Sequence, residues 1–268
     1  MAHLVLGPIL RHVGQTDATV WVETTQPCEV EVLGHTARTF AVEGHHYALV
    51  CIDGLAPGAR QEYEVALDGE VAWPQRDSAL PPSVIRTLGH PGAVRVAFGS
   101  CRVALPHEPP YTLPKDADPR GRGPDALQAL ALRLIAGSSP PPDVLVMLGD
   151  QIYADEVSPG TREFIRRRRG LAGPHGDDAE DFEDYHHLYL DAWGEPTIRW
   201  LLSTVPAAGS SGRDGRVWFA GDVSNWPRPD AACSPRRSSR GPATRCWSSS
   251  ATMSQRRTWR SPGWTRLG

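Results

Sequence analysis

The stretch Asp143-Val-Leu-Val-Met-Leu-Gly-Asp-Gln-Ile-Tyr-Ala-Asp-Glu156 runs five consecutive apolar residues, Val144–Leu148, straight into a glycine and a carboxylate. An apolar run of this length between turn residues reads as a strand buried on both faces, as in a parallel sheet covered by helices. Pro140–Pro142 and Gly149 mark its limits. Ligands of such sheets bind beyond the carboxyl ends of the strands, where Asp150 stands. Tyr153 follows three residues later. A hard carboxylate and a phenol on one strand-end loop make half of a candidate metal site, a turn-capping Asp150 and a packed Tyr153 being the plain alternative.

The residues upstream supply a partner. Val94-Arg-Val-Ala-Phe-Gly-Ser-Cys-Arg102 reads as a second strand, with Cys101 and Arg102 on the turn that follows it. A proline-rich irregular loop fills 103–124. Asp125–Ala136 then has an N-cap aspartate, helical apolar spacing and a terminating Gly137. Strand, loop, helix and strand in that order predict a right-handed crossover and parallel pairing. Neighbouring parallel strands would bring Cys101 beside Asp150 and Tyr153. Thiolate, carboxylate and phenolate together can hold a trivalent iron. Arg102, next to the cysteine, is placed to meet a phosphate with its bidentate fork.

Residues 1–90 have a different texture. Short alternating segments (19–23, 29–33, 47–52 and 63–67) are punctuated by Gly, Pro and Asp every eight to twelve residues, which argues a small antiparallel sandwich. His45 and His46 read there as solvated loop residues. Ser78–Pro82 and Gly89–Gly92 frame a linker. Downstream, 158–169 and 181–193 read as helices, the second with an aromatic stripe of Phe182, Tyr185, Tyr189 and Trp193. Pro196–Val205 is a further amphipathic segment. The run Arg166–Arg169 reads as a solvated, anion-attracting face, with nucleic-acid contact a weaker second reading.

Composition narrows the classes. A net charge of −3 gives no argument for nucleic acid or membrane as a general partner. Five cysteines without CxxC spacing are neither a disulfide framework nor a structural zinc site. No apolar run approaches membrane-spanning length, and no signal-peptide pattern opens the chain, so the expected location is cytoplasmic. From 227 to 268 there are nine arginines against one acid and no Ile, Val, Phe, Tyr or His. That composition predicts disorder, and its texture is that of GC-rich coding sequence read out of frame.

Two motifs in order, Phe98-Gly-Ser-Cys-Arg102 and Leu148-Gly-Asp-Gln-Ile-Tyr-Ala-Asp-Glu156, resemble the alkaline phosphatase D (PhoD-like) metallophosphatases. Leu55-Ala-Pro-Gly58 before Tyr63 resembles the fibronectin type III corner, and Trp200–Pro206 resembles the helix end before that family's Asp-Asp-His motif. The implied fold is an α/β (α+β) metallophosphoesterase-like sheet with helices over 93–206, incomplete, preceded by a fibronectin III-like sandwich over 1–90. The resemblance implies iron and calcium as cofactors, Cys101, Asp150 and Tyr153 as iron ligands, and a phosphate-ester substrate. The implied reaction is hydrolysis of mono- or diesters by a metal-bound hydroxide. The match stops after Pro206, where Ala207-Ala-Gly-Ser-Ser replaces the expected cluster, so 207–268 is expected to be a tail. Asp222 and Asn225 are the weak candidate replacements. An inactive family member acting as a β-sandwich binding module is the competing expectation.

Overall fold

A computed structural model of the chain describes residues 1–89, 93–172 and 176–209. Turn chemistry sets the pairing of its N-terminal strands. Leu33-Gly34 joins β3 (Glu29–Val32) to β4 (His35–Arg38), and Glu43-Gly44 joins β5 (Phe40–Val42) to β6 (His45–Ile52). Asp68-Gly69 joins β8 (Val65–Leu67) to β9 (Glu70–Trp73). All six loop residues have φ between 48° and 86°, the left-handed pair a type I′ hairpin requires. With β1 (Leu4–Val13) and β2 (Ala18–Thr24) these strands form two antiparallel sheets, ordered β1-β2-β6-β5 and β4-β3-β8-β9. The ribbon of β7 (Arg60–Glu62) and β10 (Val84–Arg86) is the third antiparallel piece. Alternate residues such as Val20, Val22, Val30, Val32, Val50 and Val65 are wholly buried in one apolar cluster.

The second part is the expected β-loop-α-β unit. β11 (Val96–Gly99) and β12 (Val144–Met147) pair in parallel, from Val96↔Val144 to Gly99↔Met147. α1 (Ala126–Ile135) lies between them in sequence, with Asp125 accepting from the Leu127 and Gln128 N–H groups at 2.8 and 3.1 Å. α2 (Pro159–Arg168), α3 (Phe182–Trp193) and α4 (Pro196–Thr204) are capped by Ser158, Asp181 and Glu195. Each cap satisfies an amide that the first turn leaves unpaired. The described residues are thus mostly β-sheet with four helices. None of these helices is long and apolar enough to cross a membrane.

Three expectations are corrected. β12 is buried on one face only: Leu145 and Met147 are buried with Leu127 and Ala131 of α1, whereas Val144 and Val146 are half-buried. The opposite side of the sheet is uncovered among the described residues, leaving Val96, Leu148 and Phe98 exposed, the last at 73%. Secondly, Ala207–Gly209 is no tail but a strand, β13, paired in parallel with β12 (Leu145↔Ala207, Met147↔Gly209). Backbone pairing asks nothing of side-chain pattern, and alanine fits where Ala207 is fully buried. Residues 210–268, with the rest of the expected tail, lie outside the described residues. Thirdly, the arginine run is solvated as expected at Arg166 and Arg167, 56% and 74% exposed, but its four members are all paired with acids and so are not free for an anion. Arg166 and Arg167 bond to Glu163 at 2.6 and 2.7 Å, and Arg168 and Arg169 bond to the wholly buried Asp184 at 2.8 and 3.1 Å.

The two parts share their core, and α4 is the element that joins them. The last carbonyls of a helix lack intrahelical donors; here the sandwich provides them. Tyr63 Oη donates to Ser203 O at 2.7 Å and Arg86 Nη1 to Thr204 O at 3.1 Å. Beyond the helix, Arg11 Nη1 donates to Ala207 O at 2.7 Å. Arg199, on the other side, donates to Gly7 O at 2.6 and 3.0 Å and lies 5.2 Å from the Trp73 ring centre. Burial pushes the Tyr63 phenol above its ordinary pKa, so it stays a donor at every physiological pH. Replacing Tyr63 by phenylalanine strands the Ser203 carbonyl and is expected to cost about 1–3 kcal/mol. The urea midpoint should fall with the slope unchanged; a midpoint equal to the parent's would contradict the clamp.

Candidate metal centre

The strand ends of β11 and β12 are held level beyond their ladder. Leu148 N–H donates to Gly99 O at 2.8 Å, and Arg102 N–H donates to Asp150 O at 2.9 Å. Cys101 and Asp150 therefore stand side by side, with Cys101 Sγ 3.3 Å from Asp150 Oδ2. The Tyr153 phenol is bonded to Cys101 and is pushed up to about 12, by burial first and then by Cys101 and Asp150. The three residues singled out from the sequence come together.

Backbone conformation marks the same two positions. Five non-glycine residues among those described have positive φ. Leu33, Glu43 and Asp68 belong to the I′ hairpins, which demand it. The remaining two are Cys101 at 57° and Asp150 at 50°, and neither lies in such a hairpin. A side chain held in this region costs about 1–3 kcal/mol and persists where its surroundings over-determine it. Both strained residues sit at the carboxyl edge of adjacent parallel strands, aimed at one another.

Electrostatically the cluster has donors and no counter-charge. Burial, Cys101 and Asp150 all disfavour the Tyr153 phenolate, and among the described residues no cationic side chain pairs with Asp150. A sulfur and two oxygen donors in this state fit a trivalent or borderline transition metal, which favours all three anions.

Arg102 has another task than the one expected of it. It is buried, with Nε donating to Asp125 Oδ2 at 2.8 Å and Nη1 to Ala192 O at 2.7 Å. Burial lowers the pKa of its guanidinium and Asp125 opposes that shift. The pair ties the turn after β11 to the N-terminus of α1 and the end of α3, so Arg102 positions Cys101. A cavity of about 320 Å³ opens beside Cys101, walled in part by Ser100, His107, Tyr111 and Arg122. Arg122 Nη2 meets only the exposed Glu156 there, at 3.3 Å, and is half-exposed itself. Sequence reasoning passed over Arg122 because it lies in the irregular loop, where no periodicity singles it out. Asp222 and Asn225 lie outside the described residues.

A second cluster was also missed. His45 is no loop residue: it opens β6 and bonds through Nδ1 to Glu23 Oε1 at 2.9 Å. His186 Nε2 reaches the same oxygen at 2.7 Å. Glu23, at 1% exposure, is the most buried carboxylate of the sandwich. Alternation in β2 puts Glu23 on the face opposite Val22, where His186 of α3 meets it.

A family model described as a domain of unknown function (DUF7800) matches residues 1–85. No curated protein matches the chain. Among solved structures the chain is similar to one described as "Structure of PhoD", at 18% sequence identity and a TM-score of 0.47. The likeness covers 77% of this chain, which spans 38% of the length of that one.

Strain at Cys101 makes a prediction that differs from ordinary sites. Because glycine adopts positive φ without penalty, Cys101→Gly is expected to be more stable than Cys101→Ala by about 1 kcal/mol. Urea unfolding of the two variants measures this; an alanine variant as stable as the glycine variant would remove the claim of strain.

Proposed function

We propose that Cys101, Asp150 and Tyr153 hold iron, with calcium as a second ion, for hydrolysis of phosphate mono- or diesters. The reading includes a metallophosphoesterase-like sheet preceded by a fibronectin III-like sandwich, so that the segments 1–90 and 93–206 are distinct in origin. The observation that carries it is the meeting of a thiol, a carboxylate and a phenol at 3.3 Å and hydrogen-bond range on two strained strand ends. The chemistry of that donor set suits a ferric ion, with Asp150 also able to face calcium. A bound metal of this kind supplies Lewis-acid polarisation of a phosphoryl oxygen and neutralises charge that develops there.

The chain's own residues account for the remainder. Cys101 Sγ and Tyr153 Oη would hold the metal as anions, so its affinity would rise with pH. Arg102 holds the cysteine turn through Asp125. Arg122 keeps Nη1 on the Pro119 and Gly121 carbonyls, both at 3.1 Å, while Nη2, paired with the 68%-exposed Glu156, can turn to a phosphate oxygen for the loss of a weak exposed pair.

Purified protein is expected to contain iron and to absorb in the visible through phenolate-to-iron charge transfer, a band that Tyr153→Phe removes. Turnover of a chromogenic phosphodiester should fall at least about 100-fold in Asp150→Asn, and Arg122→Ala should raise KM more than it lowers kcat. Protein that takes up no iron and turns over no ester would sink the proposal and favour the sandwich as a binding module.

A further inference from the structure

We infer that Glu23, His45 and His186 form a second metal site, for a divalent ion of the zinc class, which fastens α3 to the sandwich sheet. The site is some distance in chemistry from the first cluster: two imidazoles and one carboxylate, no thiol and no phenol.

Burial is the starting point. Glu23 is 1% exposed, and among the described residues no lysine or arginine pairs with it. Two histidines bond to it, both at Oε1, while its buried Oε2 has no hydrogen-bond partner. A carboxylate withdrawn from water needs a compensating charge and partners for both oxygens. A divalent cation provides both at once.

Geometry is consistent with that ion. One donor atom from each of the three residues lies within 4.8 Å of the others. Donors of a tetrahedral zinc site stand about 3.3 Å apart. The present separations of 2.9 and 2.7 Å need to open by about half an ångström to admit the ion. The imidazole rings are 4.1 Å apart and tilted by 52°, so both edges can face one point without stacking. His45 turns its other nitrogen, Nε2, to Glu183 Oε1 at 3.2 Å. A carboxylate behind a ligating histidine is the arrangement that fixes its tautomer and raises its basicity. Three protein donors leave one tetrahedral position for water. His45 and Glu183, at 18% and 42% exposure, give the ion a route in from solvent.

The test uses the full chain carrying Cys101→Ser, Asp150→Asn and Tyr153→Phe, so that the first cluster cannot contribute. Calorimetric titration with Zn²⁺ is expected to show one equivalent bound with Kd below about 1 µM. Adding Glu23→Gln or His186→Gln should weaken binding at least about 100-fold. Zn²⁺ should raise the thermal midpoint of the triple variant and leave that of the Glu23→Gln form unmoved. Should Glu23→Gln fail to fold, His45→Gln, at the half-exposed edge, is expected to give the same loss. Absence of Zn²⁺ binding, or equal binding in all these variants, would overturn the site. So would a destabilisation identical with and without Zn²⁺, the mark of a plain histidine–carboxylate ion pair. Failure of ester hydrolysis at the first cluster would leave this result untouched.

Discussion

The described structure depends on how the last turn of α4 finds donors for its carbonyls. A helix ending inside a protein must satisfy these groups or lose stability. Tyr63, Arg86 and Arg11 reach out of the sandwich to do so, at Ser203, Thr204 and, just beyond the helix, Ala207. That last bond continues into the sheet. Ala207 begins β13, β13 pairs with β12, and β12 delivers Asp150 to the edge where Cys101 waits. A line of backbone and side-chain hydrogen bonds therefore runs from the β-sandwich to the candidate metal centre. One apolar cluster takes members from the sandwich and from the α/β part alike, so the two share a core over the described residues.

Local chemistry made much of this legible. X-Gly pairs at 33–34, 43–44 and 68–69 admit little besides tight hairpins, and caps at Asp125, Ser158 and Asp181 declare helix starts in their own residues. Parallel pairing of β11 and β12 followed from the helix between them. What escaped was set by contacts between distant segments. Arg102 looked like a phosphate ligand because it adjoins Cys101, yet its side chain follows Asp125 and Ala192 into the interior. Glu23 follows the alternation that points outward from the sheet, and nothing nearby in sequence tells that α3 will cover it. β13 carries only Ala-Ala-Gly, a segment without pattern, and is recruited by the open edge of β12.

The two titratable clusters show opposite uses of burial. At Cys101 the groups lie at an accessible edge beside a cavity, in a strained backbone, where a substrate can arrive and where conformational cost is tolerated for placement. At Glu23 the groups are enclosed by regular secondary structure, and the enclosure itself raises the demand for a partner. Under the two proposals, position in the fold separates a site for turnover from one for fastening.

The bond from Arg11 to Ala207 also bears on synthesis. Its ends are 196 residues apart, so ribosomes adding about 5–20 residues per second need about 10–40 s between them. Throughout that interval the sandwich can pair its hairpins but cannot cover the seam where α4 will dock. The nascent sandwich thus keeps an apolar flank uncovered until α4 has cleared the exit tunnel.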